Sequence, residues 1–142
     1  MSSLNRTKRL VYYADDDPDD LEFVRESFAQ HASDIEVVTF LSAVELLEFL
    51  HLSDAEDPIP CLFILDINMP VLNGKEALKI LRNMENYQGV PVVLFTTSNA
   101  PHDARFAEYH GAVFISKPLS NKQMDHIVEK FLEHCNEGVK SS

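Results

Sequence analysis

The sequence predicts a doubly wound α/β fold, in which parallel strands alternate with helices around one sheet. Five short apolar segments alternate with five segments in which apolar residues recur at helical spacing. Three of the strand segments, at residues 10–14, 62–65 and 91–96, are almost free of polar residues, which is typical of strands covered on both faces. Right-handed crossovers then bring the carboxyl ends of all five strands to one edge of the sheet.

The length and composition are those of a single globular domain. The chain has 142 residues, 45% of them hydrophobic, and we expect one domain with a core at about residues 8–135 and a tail at 136–142. The formal charge is −11, with 23 acidic against 12 basic residues, so the surface should repel phosphate backbones and anionic lipid head groups. We therefore expect neither nucleic-acid binding nor membrane binding.

The two cysteines, Cys61 and Cys135, are far apart in the sequence and show no metal-binding spacing. The sequence therefore indicates neither a disulfide framework nor a zinc site. The apolar segment that follows the basic N-terminal stretch is too short for a secretory signal. A cytoplasmic location is the resulting expectation.

The first part of the chain is predicted to form two strands, each followed by a helix. The strand at residues 10–14 stops at an acidic run, where Asp17 is placed to cap a helix that starts at Pro18. Acidic residues in the first turn of that helix suit the helix dipole. The second strand is predicted at residues 35–40, and Ser42 is placed to cap the second helix.

The second part contains the three remaining strands and helices. The central strand at residues 62–65 is followed by a turn at Asn73 and Gly74, which begins a helix predicted to end near residues 86–89. The next strand and helix are predicted at 91–96 and 101–110. The last strand is predicted at 112–116, and the last helix from Leu119 to about Cys135.

Polar residues follow the predicted strands where the strand ends should meet: Asp15, Asp16, Asp66, Thr96 and Lys117. The three carboxylates would repel one another unless a cation lies between them, and oxygen ligands favour Mg²⁺, with Mn²⁺ as an alternative. Lys117 could then balance the charge of an incoming phosphoryl group, and Thr96 could donate a hydrogen bond to it. Asp66 would be the nucleophile, since carboxylates form acyl phosphates.

These residues occur in stretches that resemble the receiver domain of two-component response regulators, in the single-domain form of the chemotaxis regulator and of the regulators paired with phytochrome kinases. The resemblance covers about residues 10–135. It implies a flavodoxin-like (βα)5 fold with strand order 2-1-3-4-5. The matching stretches are the acidic loop from Asp15, the strand ending in Asp66 with Pro70 and Gly74 after it, Thr96, and the pair Lys117-Pro118.

The resemblance also implies roles for individual residues. Asp66 would be phosphorylated by a sensor histidine kinase or a phosphotransfer protein. Asp16 would bind the metal directly, Asp15 would act through water, and Asn68 would contribute its backbone carbonyl. Thr96 would move toward the phosphoryl group.

Three further features follow from the same resemblance. Phe114, at a position where the family often has tyrosine, would turn inward together with the hydroxyl switch residue. The peptide bond between Lys117 and Pro118 is normally cis in relatives. The signal would leave through the face formed by the fourth helix, fifth strand and fifth helix, toward a protein target that the sequence does not identify, or through a homodimer.

Alternative functions remain open at this point. An aspartyl phosphohydrolase of the haloacid-dehalogenase type would need a second aspartate two residues after Asp66, where this chain has Asn68. A calcium loop starting at Asp15 is disfavoured because Asp20 replaces the glycine that its turn requires. Asp20 is instead expected at a solvated helix start. A receiver-like binding module that acts without phosphorylation is the remaining alternative.

Overall fold

Five parallel strands form one sheet in the order β2-β1-β3-β4-β5, in a computed structural model that describes residues 8–54, 56–118 and 120–140. This confirms the predicted fold class and strand order. Among the described residues, no helix combines the length and the apolar character needed to cross a membrane. The strands are Arg9–Ala14 (β1), Ile35–Phe40 (β2), Leu62–Leu65 (β3), Val92–Thr96 (β4) and Val113–Ser116 (β5), and the helices are Pro18–His31 (α1), Ala43–Leu52 (α2), Gly74–Arg82 (α3), Pro101–Tyr109 (α4) and Asn121–Lys140 (α5), with a short 3-10 helix at Glu85–Tyr87.

The sheet separates two hydrophobic cores, as the apolar strand segments predict. In β3, Phe63 and Leu65 face the core that contains buried residues of α2 and α3. Leu62 and Ile64 face the other core, together with buried residues of α1 and α5. All four residues of β3 are fully buried because side chains alternate between the faces of a strand and both faces are covered.

Three of the predicted helix starts are confirmed by their capping contacts. The Asp17 side chain accepts a hydrogen bond from the backbone N–H of Asp19 at 2.9 Å, and Ser42 Oγ accepts one from Glu45 at 3.0 Å. Asn73 forms a capping box with the residue at the third helical position, in which side chain and backbone bond each other in both directions. These local signals fix where the helices begin.

Two predicted helix ends are wrong. Helix α3 ends at Arg82 and not near residues 86–89, because Asn83 Nδ2 bonds the backbone oxygen of Lys79 at 3.1 Å and a 3-10 helix follows. Helix α5 continues to Lys140, through most of the predicted tail. Its extension is supported by Arg9, whose Nη1 donates to Asn136 Oδ1 at 2.8 Å. Leu119, the predicted first residue of this helix, and residues 141–142 lie outside the described residues.

The inference that the cysteines indicate no disulfide is also wrong. Cys61 and Cys135 form a disulfide, with Cα atoms 4.7 Å apart and a sequence separation of 74 residues. Cys61 comes just before β3 and Cys135 lies in α5, which packs across the same face of the sheet. Spacing along the chain could not show this proximity, which the packing of α5 creates.

Candidate functional site

The ends of β1 and β3 lie side by side and set the position of the first two acidic residues. Ala14, the last residue of β1, pairs with Leu65, the last residue of β3, so Asp15 and Asp66 follow at the same level of the sheet. The backbone N–H of Asp66 donates to Ala14 O at 3.1 Å and continues the ladder by one bond. Together with Asp16, these residues offer carboxylate oxygens that all lie within 4.8 Å of one another.

Asp66 is held by two donors and is nearly buried, with 5% of its surface exposed. Its Oδ1 accepts a hydrogen bond from the backbone N–H of Asn68 at 3.1 Å, and its Oδ2 accepts one from Lys117 Nζ at 3.0 Å. The loop that carries it is tied down by Gly74, whose N–H donates to Ile67 O at 3.0 Å. The carboxylate is therefore oriented before any ligand binds.

The two aspartates after β1 differ in their surroundings. Asp15 is fully buried, and its Oδ2 accepts hydrogen bonds from Tyr13 Oη at 2.6 Å and from Lys117 Nζ at 2.8 Å, while its Oδ1 accepts one from Asp17 N at 3.0 Å. Burial raises the pKa of Asp15 above its ordinary value, although these donors act in the opposite direction. Asp16 is exposed, so its carboxylate is open to solvent.

Lys117 connects the acidic residues electrostatically. Its Nζ lies 2.8 Å from Asp15, 2.8 Å from Asp20 and 3.0 Å from Asp66. Burial by itself would lower the pKa of Lys117, but the hydrogen bonds to these carboxylates outweigh it and raise the pKa above the ordinary value. The lysine is therefore a permanent positive charge at neutral pH.

Sequence reasoning missed two residues of this site, Asp20 and Tyr13. Asp20 was expected at a solvated helix start, yet its side chain is only 33% exposed and bonds Lys117. The sequence did contain one indication that Asp20 belongs to the site. It lies in the first turn of α1, which starts at the same sheet edge as the acidic loop. Tyr13 belongs to an apolar strand segment, and nothing in the pattern distinguishes its hydroxyl from that of Tyr12.

Thr96 and Phe114 lie on neighbouring strands beside this cluster. Thr96 is fully buried, and its Oγ1 accepts a hydrogen bond from the backbone N–H of Ser98 at 3.2 Å. Its backbone oxygen accepts one from Lys117 N at 2.8 Å, which fixes the start of the loop after β5. Phe114 is half-buried and packs against the core on the α2 and α3 side of the sheet.

The expected cis bond between Lys117 and Pro118 is not present: the described part of the chain contains no cis peptide bond. The trans form of a bond that precedes proline is the more stable one by about 0.5–1 kcal/mol. In this structure the bond is trans. Lys117 is held at the site by the hydrogen bond from its backbone N–H to Thr96 O and by its three carboxylate partners.

The donor set at this edge of the sheet fits a hard divalent cation. Its three side chains, Asp15, Asp16 and Asp66, offer only oxygen atoms, and one of the three carboxylates is open to solvent. Oxygen ligands select Mg²⁺ or Mn²⁺, and Mg²⁺ retains positions for water or phosphate oxygens. The residues therefore fit such an ion, and a bound ion would neutralise the repulsion among the carboxylates.

A doubly wound sheet with clustered aspartates, a buried hydroxyl and a lysine at the carboxyl ends of its strands is the arrangement typical of receiver domains of two-component signalling. The chain belongs to the response regulator receiver domain family, which its sequence matches over residues 11–129. Receiver domains are in general phosphoacceptor switches, and both phosphorylation and magnesium binding are typical of this family.

Relatives with known names extend the match over most of the chain. Response regulator Rre1 of Synechocystis sp. is 30% identical over 119 residues, which make up 83% of this chain but 49% of Rre1. Response regulator Rcp1 of the same genus is 24% identical over 132 residues, covering 91% of this chain and 90% of Rcp1.

Two solved structures of response regulators share the fold. The phosphorylated cyanobacterial phytochrome response regulator RcpA has a TM-score of 0.79 and 25% identity, and the match covers 89% of this chain and 92% of RcpA. The Mn²⁺-bound form of Rcp1 has a TM-score of 0.78 and 23% identity, and the match covers 88% of this chain and 95% of Rcp1.

Proposed function

We propose that this receiver domain accepts a phosphoryl group on Asp66 from the phosphohistidine of a sensor histidine kinase or a phosphotransfer protein, in a reaction that needs Mg²⁺. The observation that carries this proposal is the convergence of three aspartates within 4.8 Å with a lysine that bonds Asp66 at 3.0 Å. The phosphorylated state of RcpA and the Mn²⁺-bound state of Rcp1 support it by similarity. Mn²⁺ is the alternative ion.

The transfer step is a displacement at phosphorus. A carboxylate oxygen of Asp66 forms the new O–P bond while the N–P bond to the donor imidazole breaks, and the imidazole leaves with the electron pair of that bond. A cation held by Asp16 and Asp66, by Asp15 through water and by the backbone carbonyl of Asn68 would neutralise charge on the phosphoryl oxygens. The orientation of the Asp66 carboxylate toward the phosphoryl group would come from the protein's own residues.

Two side chains are suited to stabilise the phosphorylated form. Lys117 lies within bonding distance of Asp66 and stays charged, so it can form an ion pair with the added phosphoryl group. The Thr96 hydroxyl accepts from Ser98 and still has its own proton to donate, which suits a move toward the phosphoryl group. Such a move shifts the population between two forms of the loop after β4.

We infer that the domain is a switch and not a phosphatase. The position two residues after the acceptor holds Asn68, an exposed amide that cannot donate and recover a proton as a carboxyl group does. Repeated hydrolysis of phosphate esters should therefore be absent. Steady phosphate release from a generic ester by the purified protein would overturn this inference.

The signal would leave through protein contacts at the face of α4, β5 and α5, or by onward phosphotransfer. Phe114 lies half-buried on β5, and Tyr109 at the end of α4 is 84% exposed, so two elements of this face carry aromatic rings that are not fully buried. The target is unidentified and could include a second copy of the chain. Nucleic acid is an unsuitable target because the charge of −11 repels phosphate.

The test is intact mass spectrometry of the protein after incubation with a small acyl phosphate, with and without Mg²⁺. We expect a single phosphoryl adduct that requires the ion and is absent from Asp66→Asn. Asp19→Asn is the matched control, because it removes an exposed carboxylate near the acidic loop that makes no contact with Lys117 among the described residues. A folded wild-type protein without adduct would instead favour a binding module that acts without phosphorylation.

A further inference from the structure

Tyr13 places a hydroxyl group inside the acidic site, and the phosphotransfer step described above does not use it. Its Oη donates to Asp15 Oδ2 at 2.6 Å, and neither residue has any exposed surface. A hydrogen bond from a hydroxyl to a carboxylate is about twice as strong as one between neutral groups. Water cannot easily replace it in a buried location, so this contact bears directly on how Asp15 is held.

The hydrogen bonds of Asp15 leave it little freedom to turn. Tyr13 and Lys117 both donate to its Oδ2, at 2.6 and 2.8 Å, and Asp17 N donates to its Oδ1 at 3.0 Å. Asp16 is different, because it is exposed and its carboxylate has no hydrogen bond or ion pair with any other residue that the structure describes. Asp15 is therefore held in one orientation, whereas the Asp16 carboxylate is not held by any of the described residues.

The ring of Tyr13 is itself held in place by the strand that carries Thr96. It packs edge-on against Phe95, with ring centroids 6.1 Å apart and planes at 65°. Phe95 in turn packs edge-on against Phe131 of α5 at 5.4 Å. Because the ring is wedged in the core, the hydroxyl is presented to Asp15 in one direction only.

We propose that Tyr13 is a positioning residue of the metal site, whose hydroxyl fixes the Asp15 carboxylate so that it acts on the ion together with Asp16 and Asp66. The inference rests on the proposed function and adds to it a residue outside the acidic loop. Residues that hydrogen-bond a metal-binding carboxylate set its orientation, and their loss typically costs about 10–100-fold in metal affinity. We expect Tyr13→Phe to weaken Mn²⁺ binding at least about tenfold for this reason.

Tyr12→Phe is the matched control. Tyr12 is the preceding residue on the same strand and is also buried, at 4% exposure, but it belongs to the core on the opposite face of the sheet. Each variant loses one hydroxyl and retains its ring. Only Tyr13→Phe loses a contact to the acidic site, so a difference between the two variants reports on that contact and not on packing.

The experiment is a titration of the full chain with Mn²⁺, following the free ion by electron paramagnetic resonance. We expect a dissociation constant raised at least about tenfold in Tyr13→Phe and unchanged in Tyr12→Phe. Phosphorylation of Asp66 in Tyr13→Phe should approach the wild-type extent when Mn²⁺ is saturating, because the acceptor itself is intact. Equal dissociation constants for wild type and Tyr13→Phe, or tighter binding in that variant, would overturn the proposal.

A second measurement needs no variant and covers the case in which Tyr13→Phe does not fold. With tyrosine labelled at the ring carbon that bears the hydroxyl, Mg²⁺ should shift the resonance of Tyr13 and leave that of Tyr12 in place. An unmoved Tyr13 resonance at saturating Mg²⁺ would contradict the positioning role. Wild-type protein that binds no ion would instead contradict the proposed function, so the two failures can be told apart.

Discussion

Replacing Gly74 with alanine would place a methyl group against the backbone of Asp66, the proposed acceptor residue. An ideal Cβ at position 74 would overlap the carbonyl oxygen of Asp66, and would lie 2.8 Å from its carbonyl carbon and 3.0 Å from Ile67 Cα. All three atoms belong to the backbone, so no side-chain rotation relieves the contact. Either the first turn of α3 or the loop that carries Asp66 has to move.

The change in the free energy of unfolding follows from two opposing effects. Overpacking of a well-packed site typically costs about 1–3 kcal/mol, and this site belongs at the upper end because Asp66 N is bonded to Ala14 O and Gly74 N to Ile67 O. Alanine in place of glycine gains at most about 1 kcal/mol from backbone entropy in a helix. We therefore expect Gly74→Ala to lower the free energy of unfolding by about 2 kcal/mol.

Gly89→Ala is the matched control for this substitution. A Cβ at position 89 would meet no atom within 4 Å, and the residue does not have a positive φ. Its unfolding free energy should stay within about 0.5 kcal/mol of wild type or rise slightly. The assay is urea unfolding followed by circular dichroism, with m-values compared to verify that both variants unfold as wild type does.

A second readout links this clash to the site. Because the loop that holds Asp66 has to shift, phosphorylation of Gly74→Ala by a small acyl phosphate should be slower than that of Gly89→Ala. If the two variants have equal unfolding free energies, the close approach of α3 to the loop that carries Asp66 does not exist as described, and the reasoning is refuted.

Two further predictions concern contacts away from Asp66. Burial would raise the pKa of Asp103, but hydrogen bonds from Lys75 and Ser98 at 2.5 Å outweigh it and hold the pKa below the ordinary value. This carboxylate therefore adds stability above the unfolded-state pKa of about 3.9 and loses it as pH falls through the lower folded value. Between pH 7 and the acid range, the free energy of unfolding should fall less in Asp103→Asn than in wild type. Parallel curves of unfolding free energy against pH for the two proteins would contradict this. Reduction of the disulfide between Cys61 and Cys135, which closes a separation of 74 residues, should lower the unfolding free energy by about 2–4 kcal/mol. Urea unfolding with and without reductant measures this loss of stability. Cys61→Ser is the control and should unfold in the same way with and without reductant. An unchanged urea midpoint after complete reduction to thiols would contradict the prediction.

The sequence by itself determined the fold class and the positions of most elements. The fully apolar segment at Leu62–Leu65 could only be a strand covered on both faces, and Asp17, Ser42 and Asn73 marked helix starts through bonds to residues two or three positions away. Such signals are readable because the interactions that create them are local and the period of burial is fixed by backbone geometry. The parallel topology then brought the strand ends together.

Only the tertiary structure decided which side chains meet at that edge. Lys117 bonds Asp20 across 97 residues of sequence and Asp66 across 51, and the sequence pattern gave Asp20 no more weight than its acidic neighbours. The Cys61 disulfide depends in the same way on how α5 crosses the sheet. Contacts of this kind depend on the angles and distances between packed elements, which many residues determine jointly and no short stretch of sequence encodes.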